Sequence, residues 1–481
     1  MNKIYKSIED SYNESYFKHI LQIVGQWISI LFKNSLLVQF MISNIDVNRH
    51  IDNSIFFAIS NNSKISNLKL KKIIENSIIL SFLINRDIQF YVFISVLVLS
   101  PFISTSITVI LGSIAVILSF FSILTKGNSI KYPKLYLFFL SLFLLSVIIG
   151  SIFNYRLNSS PKIFIIYIVY IILGLMIPYI VNSKYKLKVS LKSIAFTSIF
   201  ICIYGLYQFI YGAPMDKNWI DTTFGSNIIR VYSVFGNPNV FGEYLILIIP
   251  IIFFLFKTTK SKTYKIIYFL TMLLAISNVF MTFSRGSLVG LIIGILIVVL
   301  LKAREYLPLL IIMGIISPFF LSDSMLKRIL SIFSPKDTST NYRRTIYRIS
   351  IDILKDNYLT GIGLGQFQEV YKFYSLGIAK SFHGHNTYLM IFIELGILGF
   401  FSFLFMFISW SRLIFSTLKS KDREIGLIAI CIFAGIISCS IQGIVDHIWH
   451  NYDIFLMYFI FLGLGCATTC LIGEESGDIY E

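Results

Sequence analysis

The sequence predicts an all-α polytopic membrane protein of about twelve transmembrane helices, and three observations lead there. The chain is 56% hydrophobic and 14% charged, with a mean hydropathy of +0.76 over 481 residues, more apolar surface than one soluble core can hide. Its apolar residues fall into runs close to the ~20 residues that cross a hydrocarbon layer as a helix. Its basic residues gather in short clusters between those runs, predominantly on one side.

Taken in order, residues 1–87 read as a cytoplasmic region of polar-to-mixed character. Within it HILQIVGQWISILF, from His19, is apolar but short, is interrupted by Gln22, Gly25 and Gln26, and is flanked by Lys18 and Lys33. An amphipathic helix on the inner membrane surface fits this pattern; a buried or re-entrant helix is the alternative. Residues 88–212 hold spans one to five, at about 88–105, 106–125, 135–153, 163–182 and 193–212. Residues 213–322 hold spans six to nine, at about 240–256, 264–283, 286–301 and 305–322. A long polar segment, 323–385, precedes spans ten to twelve at about 386–410, 425–445 and 451–472, and a short acidic C-terminus completes 386–481. A segment of that length between spans is usually functional rather than connective.

The basic residues orient the array. With the N-terminus inside, the inner short loops hold seventeen Lys and Arg, in the clusters around Lys131, Lys188, Lys262, Lys302 and Lys421. The outer short loops hold five, namely Arg156, Lys162, Lys217, Arg230 and Arg285. That asymmetry places both termini in the cytoplasm and 323–385 outside. The formal charge of +16 is thus spread over membrane loops and does not form a nucleic-acid-binding face. Cys202, Cys431, Cys439, Cys466 and Cys470 all sit in apolar runs, without disulfide or CxxC metal spacing, and read as packing residues. No cleavable leader is expected, because the N-terminus lacks a basic start, a short apolar core and a small-residue cut site.

Three polar features then share the outer side: RVYSVFGNPNVFGEYL from Arg230 to Leu245, TFSRGSLVG from Thr282 to Gly290, and HGHNTYLMIFIELGILG from His383 to Gly399. Arg230 and Arg285 are permanently charged forks suited to phosphate oxygens. Snorkelling to headgroups is the competing reading for either alone. Asn239 and Glu243 lie one helical turn apart, as a capped helix start or as substrate contacts. Gly286, Gly290 and Gly294 make a smooth stripe for close helix packing.

In the long segment, YRRTIYRISIDIL reads as an amphipathic helix with Arg344 and Arg348 on one face and isoleucines opposite, either a solvated surface or a second anion contact. GIGLG resembles part of a phosphate-binding turn, but no parallel-strand unit surrounds it and a plain turn explains it. Of six histidines, His19 and His50 lie inside, and His447 and His450 lie beside Asp446 in the last outer turn, where a supporting role fits. His385 opens span ten at the outer mouth beside Asn386, either as a polar helix cap or as an imidazole able to take a proton.

Together these motifs, with GIGLGQF and HNTYLMIFIELGILG, resemble the O-antigen ligase and O-antigen polymerase family of bacterial envelope glycosyltransferases, over roughly Lys192 to Ile472. The resemblance implies a GT-C-like membrane glycosyltransferase acting outside the cytoplasmic membrane on undecaprenyl-pyrophosphate-linked glycan, with a glycan or lipid-linked glycan acceptor, membrane lipids as surroundings, and no metal or other cofactor. It matches the family's functional arginines to Arg230 and Arg285 and its essential loop histidine to His385. Asn239, Glu243, Arg344, Arg348 and Asn386 are further candidates for substrate contact.

The chemistry of the residues agrees. Cations at the mouth would stabilise charge developing on a pyrophosphate leaving group, and His385 would deprotonate the acceptor hydroxyl for inverting attack. The nearest metal-type carboxylate spacing, Asp422 and Glu424, lies on the inner side. Ligase and polymerase differ in acceptor, which these motifs do not decide. The Ile, Lys and Asn richness with few alanines points to an AT-rich genome; in a Gram-positive one lipopolysaccharide would be absent, which favours a surface-polysaccharide polymerase. The rival class is a lipid-linked oligosaccharide transporter, which calls for ionisable residues in mid-span; Glu394 and Glu243 are the candidates. A sensor or scaffold would tolerate loss of Arg230, Arg285 and His385.

Overall fold

Inside a bilayer an apolar run has no partner for its backbone but itself, and the twelve expected spans, where described, wind into helices. The computed structural model describes residues 86–126, 133–152, 161–212, 230–320, 338–375 and 381–476, with 77 and 377. The N-terminal region with the expected amphipathic helix from His19 lies outside them. The helices are α1 (Ile88–Leu99), α2 (Thr105–Lys126), α3 (Lys134–Ile152), α4 (Pro161–Ile180), α5 (Lys184–Tyr211), α6 (Pro238–Thr258) and α7 (Lys262–Met281). They continue as α8 (Arg285–Lys302), α9 (Leu307–Phe320), α10 (Thr338–Asn357), α11 (Phe367–Ser375), α12 (Thr387–Ser416), α13 (Arg423–Gln442) and α14 (Tyr452–Ser476). No strand occurs among the described residues.

Ten of these helices are long and apolar enough to cross a membrane. Two of the twelve expected spans are shorter: α1, which a 3-10 turn extends only to Phe102, and α9, of 14 residues. Helices α6, α13 and α14 form the centre; the spanning part of α14 is 94% buried, against 28% for that of α7 at the rim. The glycine stripe has the architectural role expected of it. A Cβ at Gly290 would stand 2.6 Å from the Ser438 carbonyl, and one at Gly294 would collide with the Ser438 hydroxyl, so α8 seats directly on α13.

The long polar segment is structured where it is described. The amphipathic reading of α10 holds: Ile346, Ser350 and Ile353 are buried while Arg344 and Arg348 are exposed. With Phe367, Tyr371, Met390 and Ile393 these isoleucines build a second, smaller core on the first half of α12. The GIGLG turn is a clamp. Gly363 donates to the Glu394 carbonyl at 3.1 Å, Ile362 to the Ile393 carbonyl at 2.9 Å, and Ile397 to the Tyr358 carbonyl at 2.8 Å. These bonds satisfy backbone groups that α12 releases where it kinks at Gly396, whose φ of 66° suits glycine.

The two ends of the bundle differ in chemistry. At one end Lys184 pairs with Asp422 at 2.7 Å, Lys188 with Glu424 at 2.8 Å, and Lys257 with Glu305. Asp422 also caps α13, accepting from the Glu424 and Ile425 amides, so both carboxylates at this end are engaged. The opposite end gathers the starts of α6, α8 and α12 with the turn between α13 and α14.

Replacing Gly396 with alanine forces a left-handed backbone on an L-residue and pushes its Cβ into the Leu359 carbonyl. A loss of about 1–3 kcal/mol is expected from strain of this kind, visible as a lowered Tm and faster proteolysis between α10 and α12; Gly314→Ala, where a Cβ meets nothing within 4 Å, is the neutral control.

Candidate functional site

Asn239, Arg285 and Asn386, three of the sequence-predicted residues at this end, are placed by helix starts. Asn237 caps α6, accepting from the Asn239 amide at 2.8 Å, and Asn239 follows Pro238 on the first turn. Ser284 caps α8, so Arg285 is its first residue, and the next residue, Gly286, faces Val445 and Gln442 of the α13–α14 turn. Asn386 caps α12, accepting from the Leu389 amide at 2.9 Å and donating to the Ile444 carbonyl at 2.9 Å, so its amide is occupied on both sides by the fold. Three positive helix ends therefore open on one mouth, a setting that favours anions.

A chain of hydrogen bonds runs across this mouth. Arg230 donates through Nε to the Thr282 carbonyl at 3.0 Å and through a terminal nitrogen to Asn239 Oδ1 at 2.9 Å. Asn239 Nδ2 donates to Asp446 Oδ2 at 2.8 Å, and Asp446 Oδ1 lies 3.3 Å from His385 Nδ1. Arg230 is thereby tied to the same turn that carries Arg285, and His385 to the same carboxylate as Asn239. Beneath, Glu243 Oε1 accepts from Gln442 at 3.1 Å, and Gln442 in turn accepts from Ser287 at 2.6 Å, which joins α6, α13 and α8 under the mouth.

The backbone of the His385 segment is held as firmly as its ring. Tyr347 of α10 donates to the His385 carbonyl at 2.8 Å, Thr387 donates to the Gly443 carbonyl at 2.8 Å, and the Thr387 hydroxyl bridges the Asp446 carbonyl and the Ile448 amide. His385 sits at a φ of 46°, and Phe283 and Ser233, at 51° and 50°, flank the arginines. Three of the four non-glycine residues with positive φ among the described residues therefore lie at this mouth. Conformations of this kind cost about 1–3 kcal/mol each and persist where the surroundings over-determine them.

Sequence reasoning passed over Asp446, His383 and Arg343. Arg343, half-buried beside the exposed Arg344, is the arginine of α10 whose charge reaches Asp446 and His383. His383 accepts the His385 amide through Nδ1 at 3.2 Å, and its ring lies 4.2 Å from that of His385 and 4.6 Å from that of His450. Burial pushes the His383 imidazole down to about 3, and the buried His447 well below its ordinary value. Burial opposes the charged form of Asp446, but the hydrogen bond from His385, the surrounding imidazoles and the Arg343 guanidinium hold its carboxyl below the usual carboxylate range. Chemically, an ionised Asp446 keeps the proton of a neutral His385 on Nδ1 and leaves the Nε2 lone pair available. One nitrogen each from His383 and His385 and one Asp446 oxygen also lie within 4.8 Å of one another, a group able to hold a metal ion.

Residues 269–404 match the family model described as O-antigen ligase. That segment is similar to the O-antigen ligase family. The match runs from α7 to the middle of α12 and so contains Arg285, Arg343 and His385, whereas Arg230, Asn239 and Asp446 reach the ligase segment from outside it by the bonds above. No curated protein matches the chain. The match agrees with the expected family and with the helical polytopic fold, and this family suggests a glycosyltransferase-like activity.

Acidification should loosen this mouth. His383 and His447 are neutral when folded and titrate near 6.5 when unfolded, so the unfolded chain binds more protons below that value and stability falls by up to ~1.4 kcal/mol per pH unit per imidazole. The Asp446 contribution, with a depressed folded value, persists above about 3.9 and is lost only at lower pH. Thermal unfolding of the purified protein should show Tm dropping from pH 7.5 to 5, less steeply for His383→Gln; a flat profile would contradict the buried neutral imidazoles.

Proposed function

We propose that the protein is an inverting, metal-independent glycosyltransferase that extends undecaprenyl-pyrophosphate-linked oligosaccharide on the outer face of the bacterial cytoplasmic membrane, as polymerase of a surface polysaccharide in preference to ligase. The observation that carries this reading is the bonded chain Arg230–Asn239–Asp446–His385, which links an anion-binding side of the mouth to a basic one. In it Asp446 accepts from His385 Nδ1 and directs Nε2 at the acceptor hydroxyl. Nε2 takes that proton, the acceptor oxygen bonds to the anomeric carbon from the face opposite the pyrophosphate, and the carbon–oxygen bond to the leaving group breaks. Arg230 and Arg285 receive the charge released on the pyrophosphate oxygens, helped by the helix starts of α6 and α8. Asn239 positions Arg230, and the exposure of Arg344 and Arg348 on α10 leaves both available to a glycan.

The favoured acceptor follows from residue usage alone, as argued from the sequence. The transporter reading draws on Glu394 and Glu243. Each has a carboxylate oxygen engaged locally, by the Gly365 amide at 3.1 Å and by Gln442 at 3.1 Å, which favours a structural use over a translocation path.

Purified protein given a defined undecaprenyl-pyrophosphate glycan should yield longer lipid-linked chains. Arg285→Ala should lower turnover by about 100- to 1,000-fold while still inserting and eluting normally; retained product would undercut the pyrophosphate clamp. His385→Ala should stop transfer with donor affinity kept, and equal loss of both would mark a structural histidine. Turnover is expected to survive chelator; activity removed by chelator and recovered with added metal would remove the role given to the arginines.

A further inference from the structure

The ring of imidazoles around Asp446 has a second chemistry beyond orienting a base. Tetrahedral zinc, with bonds of about 2.0–2.1 Å, holds its ligand atoms about 3.3 Å apart. His385 Nδ1 and Asp446 Oδ1 already stand at 3.3 Å, and the donor nitrogen of His383 lies within 4.8 Å of both. Closing that third side takes an adjustment of about 1.5 Å to reach the tetrahedral spacing, in a short segment that precedes the α12 cap. The ring of His450, 4.6 Å from that of His383, supplies one more imidazole at the edge, and the buried His447 Nδ1 has no hydrogen-bond partner. Two imidazoles and one carboxylate suit a borderline ion such as zinc better than the all-oxygen preference of calcium or magnesium, and three protein ligands leave a fourth position for water. The Arg343 guanidinium opposes a second cation here, and the Asp446 carboxylate offsets it.

We propose that His383, His385 and Asp446 form a binding site for a divalent zinc ion, and that its occupation switches transfer off. Zinc bound at His385 Nδ1 displaces the ring proton to Nε2, because a neutral imidazole carries one N–H; the lone pair that would accept the acceptor hydroxyl proton is then gone. Zinc also takes the Asp446 oxygen that orients the ring. The switch rests on His385 being the base; the binding site does not.

The full chain, purified in detergent and stripped with chelator, would be titrated with zinc chloride by calorimetry and metal analysis. About one equivalent should bind, with Kd raised at least tenfold in both His383→Gln and Asp446→Asn, each checked for monodisperse elution. X-ray absorption of the wild-type complex should show a nitrogen and oxygen shell near 2.0 Å, and zinc should protect His383 and His385 from diethyl pyrocarbonate, which keeps the site testable if a variant misfolds. Absence of stoichiometric zinc, unprotected histidines, sulfur ligation, or undiminished affinity in both variants would overturn the site. In the glycan assay, zinc should stop chain extension and chelator restore it. Stoichiometric binding with unchanged extension would overturn the switch and count against His385 as the base, whereas binding by a protein with no transferase activity would leave the site standing and remove the proposed function.

Discussion

The mouth of this protein depends on how one carboxylate spends its two oxygens. Asp446 accepts Asn239 on one and faces His385 with the other, while its own carbonyl accepts from Thr387. In a setting of low dielectric each of these bonds is stronger than in water, and an unpaired member would be correspondingly costly. Asp446 therefore ties together the ring of His385, the rotamer of Asn239 and, through Asn239, the direction of Arg230. Arg230, three hydrogen bonds away, thereby shares one geometry with the imidazole.

The rest of the fold supplies the rigidity this requires. Helix α13 reaches the turn bearing Asp446 after packing on the glycine stripe of α8, and α14 leaves it as the most buried span. From the other side the α10 segment grips the His385 backbone through Tyr347, and its GIGLG clamp locks the kink of α12. The positive φ values of Ser233, Phe283 and His385 are tolerated because these fixed elements leave the chain no easier route.

Much of this was legible in the sequence, for identifiable reasons. Arg230, Arg285 and His385 stood out because each interrupts a pattern of charge or apolarity, and the α10 face could be read because its isoleucines keep a helical period. Asp446 carried no such signal, being one acidic residue in a turn whose partners lie on α6 and before α12. Arg343 was passed over because helical phase separates Arg344 and Arg348 from the isoleucines but does not say which flank meets the mouth. The GIGLG turn looked like a loop because its backbone partners, Ile393, Glu394 and Ile397, lie within an apolar run that gives no sign of breaking at Gly396.

The O-antigen ligase match stops short of Asp446 and begins after Arg230, so the account joins residues inside the matched segment to residues outside it. A double-mutant cycle between Asp446→Ala and His385→Ala, read as turnover on a lipid-linked glycan, tests that union most directly. If Asp446 acts through His385, its removal should cost far less in the His385→Ala background than in the wild type, the remainder being its share in positioning Arg230. Losses that multiply independently would contradict it.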